Sequence, residues 1–295
     1  MENHTKQRGQ LELGLQRAQE KDRNHHLGGR SFYFFDFDDN IAFLPTPLVL
    51  FHKDTNQELH ISSGEWAKAH SIIGISGTYR DYEIRFDDRL GTFRYFRDQE
   101  REDLERLGHK HQIFVKDVHE ILQLPDFDWK GPSWECFYHA TFNQRPISVI
   151  TARGHSAETL KQGIRAFVEN KILPLEPNYL SLFPVSHNQT RAELGDLELK
   201  MNTAQLKQKA IRASVERAIE VYGYSDHHRF GMSDDDPKNL QLIYDEMKRL
   251  KTTYPQMSFF LIETHNGNFI KHEITLSSTQ SIVLSHHQLS LFETP

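Results

Sequence analysis

Apolar and polar positions fall into short apolar runs separated by segments whose apolar residues recur every three or four positions. Residues 32–35, 146–151 and 179–185 are runs of the first kind. They are rich in aromatic or β-branched side chains and short enough to read as buried strands. A fourth run, 229–233, ends in the acidic cluster Asp234-Asp235-Asp236. Helical spacing follows three of them. Ala157, Leu160, Ile164, Phe167 and Val168 form one apolar face. Ile211, Val215, Ala218, Ile219 and Tyr222 form a second, which ends at Gly223, and Leu240, Ile243, Tyr244, Met247 and Leu250 form a third, opened by Pro237. Strands alternating with helices read as an α/β fold.

Other stretches break this rhythm. Residues 48–51 and 58–62 bracket Asp54-Thr55-Asn56-Gln57, a good hairpin turn. Between 63 and 145 the pattern is irregular. Residues 84–86 and 92–96 alternate apolar and basic positions, and helical patterns follow at 115–122 and 134–140. Arg85, Arg89, Arg94 and Arg97 suit either a phosphorylated substrate or a solvated sheet face. Near the end, 258–263 and 269–274 flank the turn Asn266-Gly267. Residues 276–287 are Ser-rich and lack a helical face. Residues 1–30 are polar, with a short helical pattern over 10–20, and read mainly as a mobile arm.

Composition narrows the classes. A chain of 295 residues suits one large domain or two small ones. A net charge of −6 argues against coating nucleic acid by bulk electrostatics. The single cysteine, Cys136, excludes a disulfide framework and a thiolate zinc site, and fits a reducing cytoplasm. No apolar run approaches the roughly 18 residues that span a membrane, and no signal-like segment follows Met1. A soluble cytoplasmic protein is expected.

The candidate chemistry sits at strand ends. Asp36 and Asp38 lie just past the first run, two residues apart, so a strand places them on one side. That edge is where open α/β sheets bind ligands. Clustered carboxylates need a proton or a cation, and Mg²⁺ is the usual hard partner; a solvated acidic turn is the plainer alternative. Thr151 ends the second run before a glycine turn and helix, where a helix N-terminus favours an anion, although a cap is all the helix itself requires. Three consecutive aspartates before Pro237 exceed what capping needs.

Taken in order, these motifs resemble those of the haloacid dehalogenase-like (HAD) superfamily over residues 31–264. They are Asp-x-Asp after a strand, a hydroxyl residue at a strand end, a lysine near a helix start and an acidic pair. The resemblance implies a Rossmann-like α/β core with a mainly parallel sheet at 31–62 and 146–276. It also implies a β-hairpin flap, a substrate-selecting cap inserted after the first strand at 63–145, and a flexible tail at 277–295. It further implies an Mg²⁺-dependent phosphohydrolase working through an aspartyl-phosphate. Asp36 would attack phosphorus, and Asp38 would protonate the leaving oxygen and then activate water. Asp36, Asp234 and the Asp38 backbone carbonyl would hold Mg²⁺, with Asp235 or Asp236 acting directly or through water and Asn239 orienting the site. Thr151, backbone amides such as that of Ala152, and Lys209 would bind the phosphoryl oxygens. Lys207 is a close rival for the lysine role and Lys200 a poorer one. Asn40 stands where the family commonly has Thr or Val, and Asp39 adds a third carboxylate.

The chain closes with Gln288-Leu289-Ser290-Leu291-Phe292, which resembles the peptide that docks bacterial replication and repair proteins on the β sliding clamp. A tethered Gln with a Leu/Phe pair can fill an apolar groove as it orders. Leu-Ser-Leu-Phe also occurs at 180–183, inside a predicted strand, and Gln10-Leu11-Glu12-Leu13 approaches the pattern without its aromatic. If the tail docks on the clamp, a phosphate on a nucleotide or a DNA end is the natural substrate hypothesis. A small phosphorylated metabolite is the competing enzyme reading, and a non-catalytic HAD-like module docked on the clamp is the reading from another class.

Overall fold

The computed structural model describes residues 18–264, 269–276 and 279–283. The first part of the expected N-terminal helix, the Asn266-Gly267 turn and the peptide Gln288 to Phe292 lie outside the described residues. The elements run β1 (Ser31–Phe35), β2 (Leu48–His52), β3 (Glu58–Ile61), α1 (Ser63–Ala69), β4 (Tyr82–Glu83), α2 (Arg101–Arg106), α3 (Ile113–Ile121), α4 (Asp126–Trp129) and α5 (Trp134–Phe142). They continue β5 (Pro146–Thr151), α6 (Ala157–Glu169), β6 (Asn178–Pro184), α7 (Asn188–Glu193), α8 (Thr203–Tyr222), β7 (Arg229–Asp234), α9 (Pro237–Thr253), β8 (Ser258–Glu263), β9 (Ile270–Ile274) and β10 (Thr279–Val283).

The main sheet has seven strands in the order β10-β9-β8-β7-β1-β5-β6. Strands β8, β7, β1, β5 and β6 are mutually parallel, whereas β9 and β10 add antiparallel at one edge. This is an α/β fold with a mostly parallel sheet, compatible with a Rossmann-like architecture. A smaller antiparallel sheet, β3-β2-β4, contains the expected hairpin. Part of the expected tail, residues 279–283, is strand β10.

Alternation along the strands divides the core. Phe32 and Phe34, with Phe230 and Met232, face Ile211, Val215 and Ala218 of α8 and Ile243 and Met247 of α9. Phe35, Ile147 and Val149 turn the other way, onto Phe114 and Val118 of α3, Phe137 of α5, and Leu160 and Ile164 of α6. Both faces of β5 are covered, which is why Pro146–Thr151 reads as an unbroken apolar run. Among the described residues no helix is long and apolar enough to cross a membrane.

Two expected boundaries shift. Helices α3, α4 and α5 fall within the stretch expected as a cap, yet Phe114, Trp129, Trp134 and Phe137 are buried in the main core. Only the part around the small sheet has a core of its own, built on Leu48, Leu50, Ile61, Ala69 and Ile73. Residues 18–30, expected to belong to a mobile arm, are tied down. Gln19 donates to the Phe142 carbonyl at 3.0 Å, and Asp22 pairs with Arg145 at 3.0 Å and accepts from Ser31 N at 2.9 Å. The basic residues of the inserted region are committed internally. Arg85 pairs with Glu83, Arg89 with Asp103, Arg94 with Glu58 and Arg97 with Asp88. Arg97 also reaches out of this region, donating to the Ser186 carbonyl at 3.3 Å.

His155 supplies a stability prediction. It is fully buried and neither ring nitrogen has a hydrogen-bond partner. Burial, and then the Arg153 charge, hold it well below the ordinary histidine value of 6.5. Below that pH the unfolded chain takes up a proton that the folded chain refuses, so stability falls as pH falls. Denaturant unfolding at several pH values should show a His155 contribution of up to about 1.4 kcal/mol per pH unit. It should vanish in His155→Phe, and an unchanged acid slope in that variant would refute it.

Candidate active site

Backbone pairing brings the strand ends together. Phe35 lies level with Ser233 on one side and Val149 on the other, so β1, β7 and β5 finish at one edge. Asp36 follows at once, its amide donating to the Ser233 carbonyl at 3.0 Å. Asp234, the last residue of β7, is fully buried, and its Oδ1 accepts from the Asp236 amide at 3.0 Å and from Asn239 Nδ2 at 3.1 Å. Between the two carboxylates lies Lys207. Its Nζ donates to Asp36 Oδ2 at 3.0 Å and to Asp234 Oδ2 at 2.8 Å. Asp235 completes the group, with carboxylate oxygens of Asp36, Asp234 and Asp235 within 4.8 Å of one another.

The site lysine is therefore Lys207, not Lys209. Both lie on α8, but two positions turn a helix by roughly 200°. Lys207 is 3 % exposed at its side chain and faces the sheet, while Lys209 is exposed on the other side. Lys200 precedes the helix and pairs with Glu198. Asp236 is exposed and serves Asp234 through its backbone amide.

Burial pushes Asp36 well above the usual carboxylate range, and Asp234, Asp235 and Asp38 push it further, opposed by Lys207. Burial, with Asp234 and Asp39 nearby, pushes Asp235 up to about 7. Burial alone would lower the Lys207 pKa, but Asp234 and Asp36 reverse this and keep it charged. Among the described residues Lys207 supplies the ammonium that meets Asp36 and Asp234. An all-oxygen donor set of three clustered carboxylates fits a hard divalent cation such as Mg²⁺.

Asp38 faces a different partner. Arg153 grips its carboxylate through Nε at 2.8 Å and Nη2 at 2.6 Å, and Thr151 Oγ1 lies 3.4 Å away. The Asp38 side chain therefore does not join the three-carboxylate cluster, because a fixed guanidinium lies within its reach. Arg153 is 1 % exposed and sandwiched between the rings of Phe96 and Phe114. It also donates to Thr46 Oγ1 at 2.9 Å, and Thr46 donates to Asp117 Oδ2 at 2.5 Å. Thr151 is buried beside Asp38, while Ala152 is exposed. Asp39 adopts φ 56° and accepts from Ser63 Oγ at 3.1 Å, and burial beside Asp38 pushes it up to about 6.

Asn40 ties the strand ends together. It is fully buried, and its Nδ2 reaches the Asp36 carbonyl at 3.1 Å and the Ser233 carbonyl and hydroxyl at 3.2 and 2.9 Å. Its Oδ1 accepts from Ser133 and Thr264, both at 2.8 Å. One amide thus fixes the ends of β1 and β7, the residue following β8 and the start of α5. Asn40→Ala would orphan several of these groups and should cost at least about 2 kcal/mol in denaturant unfolding. Unchanged stability in the variant would contradict this role.

Sequence reasoning named Asp36, Asp38, Thr151, Asp234 and Asp235, and the fold brings all five to one edge. It missed Arg153, although that residue lies two positions past Thr151 in the same strand-end turn. Thr46 and Asp117 carried no local signal, since their meaning depends on a guanidinium distant in sequence. No protein-family model matches the chain, and no match was found among curated proteins or solved structures.

Proposed function

We propose that the chain is an Mg²⁺-dependent phosphohydrolase of HAD-like type, working through an aspartyl-phosphate. The observation that carries this reading is the Asp36–Lys207–Asp234 bridge, with Asp235 beside it, at the C-terminal ends of β1 and β7. Asp36 is the nucleophile. A carboxylate oxygen of Asp36 bonds to phosphorus as the ester bond breaks, and Asp38, entering this step as the carboxylic acid, gives its proton to the leaving oxygen. Water then attacks phosphorus, its proton passes to Asp38, and the bond to Asp36 breaks. Arg153 and Thr151 orient the Asp38 carboxylate for both transfers. Lys207 has a third N–H beyond the two that it spends on Asp36 and Asp234, suited to a phosphoryl oxygen. Asp36, Asp234 and Asp235 would hold Mg²⁺, whose charge offsets that of the transferring group.

The terminal Gln288-Leu289-Ser290-Leu291-Phe292 supports recruitment to a bacterial β sliding clamp, which favours a nucleotide or DNA-end phosphate as substrate. The test is phosphate release with and without Mg²⁺ on an aryl phosphate, nucleotides, sugar phosphates and DNA ends bearing 3′- or 5′-phosphates. Activity on DNA ends supports the recruited-phosphatase reading, and activity confined to small esters moves the substrate to metabolism. Silence on the whole panel favours a non-catalytic module. Deleting residues 288–292 should abolish clamp binding and spare hydrolysis of the aryl phosphate.

A further inference from the structure

A second pocket of about 90 Å³ lies over the N-terminal halves of β1, β7 and β8, away from the strand ends that carry the aspartates. Its floor is a row across three strands. Tyr33 pairs with Gly231, and Gly231 with Phe260. Gly231 contributes no side chain, and that leaves the middle of the floor open. An added Cβ would meet Ile262 Cδ1 at 3.3 Å. Helix α5 forms one wall through Glu135 and His139.

The lining is cationic in a chain of net charge −6. Arg23, Arg145, Arg229 and Lys271 face a single lining carboxylate, Glu135. Arg145 is 5 % exposed; its Nη1 pairs with Asp22, and its Nε has no hydrogen-bond partner. Arg229 has no carboxylate within ion-pair distance among the described residues. Its guanidinium lies 5.0 Å from the centre of the Phe260 ring, and Lys271 Nζ lies 3.9 Å from the same ring. Burial, and then Arg229, push the Lys271 ammonium down to about 8. Arg145 keeps an unpartnered Nε in a buried setting and Arg229 is half-buried without a carboxylate beside it among the described residues, an arrangement that a bound anion would offset.

We propose that this pocket binds a small organic oxyanion, a flat apolar body bearing a carboxylate or phosphoryl group, with Arg145 and Arg229 on the acid group and Tyr33 and Phe260 on the body. The planar guanidiniums suit either oxyanion. At roughly 30 Å³ per water the volume holds about three waters, room for an acid group and the inner part of a flat body and too little for a nucleotide. The site is separate from the aspartate cluster. Tyr33 precedes Asp36 by three positions, on the order of 10 Å along the strand.

The test is calorimetric titration of the full chain with phenylphosphonate, benzoate and uncharged benzyl alcohol. At least one anion should bind saturably at one site, with the alcohol at least about ten-fold weaker. Arg229→Gln and Gly231→Val should each weaken the anion by about ten-fold or more, while Asp36→Asn leaves it unchanged. Tighter phenylphosphonate identifies a phosphoryl ligand, and tighter benzoate a carboxylate. Lys271→Met should weaken the anion as well, and this second variant keeps the test decisive if Arg229→Gln fails to fold. Failure of both anions to saturate below about 10 mM would overturn the proposal. So would binding that survives the pocket variants, or binding lost only in Asp36→Asn.

Discussion

Lys207→Met should lose about 3–5 kcal/mol of stability in a chelating buffer, the usual result of removing one partner from a buried ion pair. Methionine keeps much of the length and packing of the stem and deletes only the ammonium. What it leaves is Asp36 and Asp234, both buried, beside Asp235 and with no cation between them. Mg²⁺ should then restore more stability to the variant than it adds to wild type, since the negative charge that it neutralises is larger. Denaturant unfolding in chelator and in excess Mg²⁺ measures both. The control is Lys209→Met, an exposed position on the same helix, expected to stay within about 0.5 kcal/mol of wild type. Equal stability of Lys207→Met and wild type in chelator would remove the bridge from any account of the site.

The choice between those two lysines shows where sequence reasoning stops. The apolar face of α8 was plain in Ile211, Val215 and Ala218, and the acidic strand ends were plain in Asp36 and Asp234. A lysine's place depends on helix phase near the first turns, where Leu206 and Ala210 are the only nearby apolar anchors. Extending the face backward from Ile211 through them places Lys207 beside Leu206 and leaves Lys209 outside. The inserted region was harder for a related reason. Apolar faces on α3 and α5 announce burial but not against what, and Phe114 and Phe137 turn out to pack on the main sheet. Its arginines suited a phosphorylated substrate and a solvated sheet face equally, and two of the partners that settle their place, Asp103 of Arg89 and Glu58 of Arg94, lie 14 and 36 positions away. Arg153 was hidden in the same way. Only the fold reveals that Phe96 and Phe114 close around it.

Asp36→Asn should lower Mg²⁺-dependent phosphate release by about 10⁴-fold or more, as expected when the group that bonds to the substrate is removed. Its effect on stability should run the other way. Burial and the neighbouring aspartates raise the Asp36 pKa above its unfolded value, opposed by Lys207, so ionising this carboxyl in the folded protein costs stability. A folded-state pKa above the unfolded one means that stability improves as pH falls through the folded value, and a neutral amide mimics that protonated state. Asn also retains an oxygen that can accept from Lys207. At neutral pH in chelator the variant should therefore be at least as stable as wild type, while Mg²⁺ stabilises it less because one ligand charge is gone. Inactivity together with preserved folding and a smaller Mg²⁺ shift is the signature of a nucleophile that is also a metal ligand. Inactivity with global unfolding would mark Asp36 as structural, and full activity would rule out the aspartyl-phosphate route.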